Sequence, residues 1–115
     1  METIKSKRDF GRVFSDGKRV NHKLVRMTAL RRDEGGPARV AFVASKRLGN
    51  AVFRNRCKRV LRAAAREAGL PRDGYDVILF ATKATHDSQS GEVARSLSSL
   101  MSSLTHRSRD GVGLS

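Results

Sequence analysis

Apolar and polar positions recur along this chain with two different periods, and each change of period marks a new element. In "SKRDFGRVF", Phe10, Val13 and Phe14 stand at i, i+3 and i+4, the spacing of one helix face, and the polar "SDGK" that follows predicts its end. "HKLVRMTALRR" switches to a period of two, so that Val25, Met27 and Ala29 point one way and Arg26 and Thr28 the other, as in a half-buried strand. The turn-forming "RDEGGP" separates it from "ARVAFVAS" at residues 38–45, a second and more buried strand, and the two are expected to form a hairpin.

Helical spacing returns in "NRCKRVLRAAAREAGL", where Cys57, Leu61, Ala64 and Ala68 share one stripe and Gly69 with Pro71 marks the stop. "YDVILFAT", at residues 75–82 after the turn "PRDG", is a short apolar run that predicts a buried strand. Val93, Leu97, Leu100, Met101 and Leu104 then line one face of a final amphipathic helix. The tail "HRSRDGVGLS", residues 106–115, carries no period and is expected to be disordered. Helix, strand, strand, room for one further short strand, helix, strand, helix: this order predicts a single α+β domain over residues 1–105, an α-β sandwich of one sheet covered by helices.

Charge changes the picture from a generic sandwich to one with a polyanionic partner. The chain has 115 residues and a formal net charge of +13, from 24 Lys plus Arg against 11 Asp plus Glu. Self-repulsion on that scale is relieved by a polyanion. The only cysteine, Cys57, has no partner for an internal disulfide, which fits a reducing compartment. No apolar stretch approaches the roughly 20 residues of a membrane span, and "METIKSKRDF" lacks a signal-peptide core. A cytoplasmic protein with no membrane contact is the expectation.

The charge is ordered. At 100° per residue, Leu61, Ala64 and Ala68 fall within roughly 40° of Cys57, while Asn55, Arg59, Arg62 and Arg66 fall within roughly 40° of the opposite pole. Arg56 and Lys58 flank that cationic face, and Arg54 stands at the helix entry, after the "LGNAV" hinge and the loop bearing Lys46 and Arg47. Cations crowded into a first turn oppose the helix dipole, so this arrangement is read as a phosphate-binding surface rather than a stabilising one. Phe10 and Phe14 have two readings, as core residues or as stacking platforms for unpaired bases.

Catalytic patterns are missing. His22, His86 and His106 are far apart with no cluster of cysteines or carboxylates to complete a metal site, and "RLGN" lacks the spacing of a phosphate-binding G-x-x-x-x-G-K-[ST] loop. The carboxylates are dispersed, and nothing around Ser45 supports a nucleophile. A structural ribosomal or RNA-assembly protein would satisfy the same charge pattern. A helix-turn-helix DNA binder fits less well, because "PRDG" leads from the basic helix into a strand.

"SKRLGNAVFRNRCKRVLRAA" resembles the motif of the protein subunit of bacterial ribonuclease P: a Lys-bearing turn, Gly49, Ala51-Val52, then Arg54-Asn55-Arg56, Lys58-Arg59 and Arg62. "RDFGRVFSDGKR" and "GYDVILFATKAT" are similar to that family's first helix and to the strand after its motif helix. The resemblance implies a ribosomal-protein-like α-β sandwich with a left-handed β-α-β crossover. It also implies a catalytic RNA subunit that uses Mg2+ to cleave the 5′ leader from precursor tRNA, bound one to one by the protein. Through it, Lys46, Arg47, Arg54, Asn55, Arg56, Lys58, Arg59 and Arg62 match the RNA-contacting set, and Phe10 and Phe14 match a cleft that receives the single-stranded leader. Where family members often carry an aromatic on the first strand, "LVRMTAL" offers only Met27 or Thr28.

Overall fold

The computed structural model describes residues 3–32, 38–71 and 74–113. Helix α1 (Lys7–Asp16) leads into strands β1 (Lys18–Asn21), β2 (Val25–Arg31) and β3 (Arg39–Val43); α2 (Ala51–Ala68), β4 (Tyr75–Ala81), α3 (Lys83–Asp87) and α4 (Ser90–Gly113) follow. The α+β sandwich is as expected. The sequence pattern also predicts the span of α1, the three longer strands and the stop of α2, where Gly69 takes the left-handed conformation at φ 74°. Most of the turns "RDEGGP" and "PRDG" lies outside the described residues.

Strand pairing departs from the expected hairpin. The sheet order is β1-β2-β4-β3: β2 pairs antiparallel with β1 and with β4, and β3 pairs parallel with β4. β2 and β3 are therefore not neighbours, and the further short strand precedes them as β1. The cause lies in β4, whose Val77, Ile78 and Leu79 are all buried. A strand apolar on both faces is most stable in the sheet interior, between two neighbours. Alternation within β2 and β3 says which way side chains point but not which strand lies alongside.

This insertion gives the sheet two covered faces. On one, Val25, Met27, Ala29, Val40, Val77 and Leu79 pack with Leu61, Ala64 and Ala65 of α2 and with the α4 stripe from Val93 to Leu104 in one buried cluster. Each fully buried large aliphatic side chain contributes about 1.5–3 kcal/mol. On the opposite face α1 covers Thr28 and Ile78 with Val13, all buried. Gly17 makes that close approach possible, since a Cβ there would lie 2.5 Å from the Val13 carbonyl oxygen and 2.8 Å from Thr28 Cγ2. The backbone of α4 remains helical to Gly113, beyond the last apolar position of its stripe.

One polar cluster fixes α1 to the sheet. Arg39 donates from Nη2 and Nε to the two oxygens of the buried Asp76 carboxylate (2.8 and 3.3 Å) and from Nη1 to Asp9 Oδ2 of α1 (2.8 Å). Arg32 Nη1 lies 3.6 Å from Asp76 Oδ1. The Arg39 hydrogen bond and charge hold the Asp9 carboxyl below the usual carboxylate value of 3.8. This ion pair thus stabilises the fold fully above that value, and its contribution disappears as the pH falls through the lower folded-state value. Arg39→Met should cost about 3 kcal/mol, because it strands a buried carboxylate with Arg32 as its remaining cation. Urea unfolding at pH 7 measures this, and a loss below about 1 kcal/mol would contradict it.

Candidate nucleic-acid interface

Residues Lys46–Leu48 form a 3-10 turn, and Asn50 caps α2 by accepting a 2.9 Å hydrogen bond at Oδ1 from the Phe53 backbone N–H. Ala51, Val52 and Phe53 thus form the first turn of the helix and not a hinge, and the cations begin one turn later at Arg54. The sequence signal for this start is Asn50, a preferred N-cap residue, in front of three uncharged side chains. The crowding of charge against the helix dipole is accordingly milder than the sequence suggested, although no acidic side chain offsets it in that turn.

Two open hollows lie on the outer face of α2. One, about 540 Å3, brings together Asn55, Lys58, Arg59 and Arg62 with Val52. The other, about 560 Å3, is lined by Gly49, Asn50, Val52, Phe53, Arg56, Arg59 and His86. The expected cations do not all project alike. Arg56, Arg59 and Arg62 are exposed, as are Lys46 and Arg47 on the preceding turn, whereas Lys58 and Arg54 are half-buried and Arg54 Nε is enclosed without a hydrogen-bond partner. Arg56 Nε donates to the His86 carbonyl oxygen at 3.0 Å, and the Arg62 guanidinium lies 5.4 Å from the Phe42 ring centroid. Cys57 is buried beneath this face, where desolvation pushes its thiol above the usual range.

The other face of the sheet carries a further hollow of about 290 Å3, lined by Phe14, Arg19, Asn21, Arg26, Met27, Thr28 and Phe80. Phe14 is 41% exposed and Phe10 half-buried, so neither is a core residue; Val13 of the same helix takes that place. Phe10 stacks on Phe14 at 6.4 Å between centroids, and Phe80 meets Phe14 edge-on at 6.0 Å. Arg19 covers Phe14 with its guanidinium 4.5 Å from the ring centroid, and its Nη2 donates to the Phe14 carbonyl oxygen.

Phe80, Arg19, Asn21 and Arg26 were missed in the sequence. The signal for Phe80 was present: in "YDVILFAT" it stands two residues beyond Ile78, on the face opposite Val77 and Leu79. Arg26, its cross-strand partner on β2, is likewise on that face. Met27 is buried in the core cluster on the other side and Thr28 is buried, so neither is an exposed stacking surface. Phe80 places an aromatic of β4 on this face, where β2 has none.

Among the described residues, no three His, Cys, Asp or Glu side chains converge to hold a metal ion. Arg56, Arg59 and Arg62, exposed on the outer face of α2, repel a divalent ion, so the residues lining that face do not fit a Mg2+ site. No helix among the described residues is long and apolar enough to cross a membrane.

Fold and surfaces define a small basic α+β sandwich with phosphate-attracting groups on both sides of one sheet. The family model described as Ribonuclease P matches residues 1–105, and the chain belongs to that family. It is 33% identical over 109 residues to the ribonuclease P protein component of Symbiobacterium thermophilum, covering 94% of this chain and 95% of that one. It is 39% identical over 84 residues to that of Gluconacetobacter diazotrophicus, covering 71% and 72%. The structure of the Staphylococcus aureus RNase P protein superposes with a TM-score of 0.72 at 27% identity, covering 88% of this chain and 93% of that one.

Arg62 combines exposure with a seat over Phe42. Arg62→Ala should leave the protein folded and cost at most about 1 kcal/mol in urea unfolding, the scale of an exposed cation–π contact. A loss above about 2 kcal/mol would show that Arg62 is structural.

Proposed function

We propose that this chain is the protein subunit of a ribonuclease P ribonucleoprotein, joined one to one with a catalytic RNA in the cytoplasm. In this reading the outer face of α2 meets the catalytic RNA and the hollow beneath α1 receives the single-stranded 5′ leader of precursor tRNA. Hydrolysis of the phosphodiester, and the Mg2+ it uses, belong to the RNA. The observation that carries the reading is the pair of surfaces on opposite sides of one sheet: cations on α2, and on the other side the aromatic group of Phe10, Phe14 and Phe80 with Arg19 and Arg26.

The protein's contribution is binding and orientation. Stacking an unpaired base on an aromatic ring is worth about 1–3 kcal/mol and tolerates any base, which suits a leader of varied sequence. Arg19 and Arg26 stand beside the rings to neutralise the phosphates between stacked bases. Arg56, Arg59 and Arg62 supply forked donors that match phosphate oxygens on the opposite side. Both sets displace counterions, so affinity falls with salt at a log-log slope of about −0.7 for each phosphate neutralised on a single strand.

Reconstitution with a bacterial ribonuclease P RNA tests this. The protein should stimulate cleavage of precursor tRNA at low magnesium, and Arg59→Ala should lower the salt slope of RNA binding by about 0.7. Phe14→Ala combined with Phe80→Ala should weaken precursor tRNA binding roughly tenfold while leaving mature tRNA binding unchanged. Absence of stimulation, with the RNA active alone at high magnesium, would favour a structural ribosomal-type role.

A further inference from the structure

Only two large apolar side chains among the described residues are conspicuously exposed, Phe14 at 41% and Val52 at 76%. Phe14 belongs to the hollow beneath α1. Val52 stands among the cations of α2, on the wall shared by both hollows of that face. Phosphate binding needs donors and positive charge, so it gives no reason for an exposed isopropyl group there. A scattered surface valine is ordinary. This one adjoins a flat aromatic pair, because the Phe53 and His86 rings lie parallel at 2° with centroids 4.0 Å apart and line the same hollow.

That hollow has the parts of a nucleotide site. Its volume of about 560 Å3 lies within the roughly 300–1,000 Å3 of small-ligand clefts. Arg56 is held by its Nε on the His86 carbonyl, and Arg59 stands on the same wall. No carboxylate is among the lining residues; Asp87 is nearby but engages His86 Nδ1 at 2.8 Å. An exposed apolar side chain, an aromatic pair and a cationic flank together match an unpaired nucleotide, whose base is flat and whose phosphate is anionic.

We infer that Val52, Phe53 and His86 form a docking site on α2 for one unpaired nucleotide of the RNA partner, with Arg56 and Arg59 holding its phosphates. The inference rests on the reading that α2 faces RNA and deepens it: this face takes a base as well as backbone charge. Recognition of a looped-out or bulged nucleotide would also fix the register of the protein on a partner that phosphates alone leave free to slide.

The test measures binding to a bacterial ribonuclease P RNA across a salt series, with stimulation of cleavage by the unaltered protein recorded in the same preparation. His86→Ala and Val52→Ser should each weaken binding roughly fivefold to tenfold without changing the salt slope, since neither removes a phosphate-pairing lysine or arginine. The Arg56 anchor is a backbone carbonyl and survives in His86→Ala. His86→Phe, which keeps a flat ring, should retain the original affinity. Binding unchanged in both His86→Ala and Val52→Ser, with circular dichroism confirming the fold, would overturn the site while leaving the functional reading intact. So would a loss that appears wholly as a reduced slope, or an effect on self-association alone, which would assign the face to a second copy of the chain. Failure of the unaltered protein to bind or stimulate would remove both. Val52→Ser, at so exposed a position, carries the test even if His86→Ala does not fold.

Discussion

Strand β4 has to bury apolar side chains on both of its faces, and the arrangement of the molecule follows from meeting that demand. Val77 and Leu79 enter the core with α2 and α4, Ile78 lies under α1, and Asp76 grips Arg39 at the start of the strand. A strand at the sheet edge could do this only with one side unpaired, so β4 takes the position between β2 and β3. Once it is there, β3 runs parallel to it and α2 has to cross the sheet to connect them. The crossover brings the basic helix over one face, and the opposite face is left for α1 and its aromatics.

Two layers of polar structure then adjust what the core has positioned. On the α1 side, Arg39 joins β3, β4 and α1 through Asp76 and Asp9, so the helix that carries Phe10 and Phe14 is tied to the strand that carries Phe80. On the α2 side, Arg56 and the Phe53–His86 stack connect the basic helix to α3, while α3 is itself fixed by the Thr82 and Thr85 hydroxyls donating to the carbonyls of Lys23 and Leu24. Both candidate surfaces are therefore built on elements anchored at more than one point, which limits the freedom their side chains would lose on binding.

Much of this was legible in the chain because local periodicity reports which residues are buried. The stripe of Cys57, Leu61, Ala64 and Ala68 and its opposite pole of Arg59, Arg62 and Arg66 gave the orientation of α2 without reference to any other element. Partner choice was not legible: β2 and β3 are each compatible with several neighbours, and the burial of β4 on both faces decided between them. The start of α2 is harder to read, because glycine and asparagine suggest a hinge where Asn50 is the cap. Phe80 is not legible because a strand read as uniformly buried conceals an aromatic near its C-terminal end that remains half-exposed. The cations were visible as a set, but not that Arg56 is tethered or that Arg54 Nε is enclosed.

In the proposed complex the two faces of one sheet serve two different nucleic-acid segments, and directed cleavage distinguishes them. Cys57 is buried, so a single added surface thiol can carry a tethered iron chelate. Placed by Asn55→Cys on α2 in the reconstituted complex, the chelate should cut the catalytic RNA and spare the leader. Placed by Asn21→Cys in the aromatic hollow, it should cut the leader of precursor tRNA. The same cutting pattern from both positions, or the reverse assignment, would contradict the account.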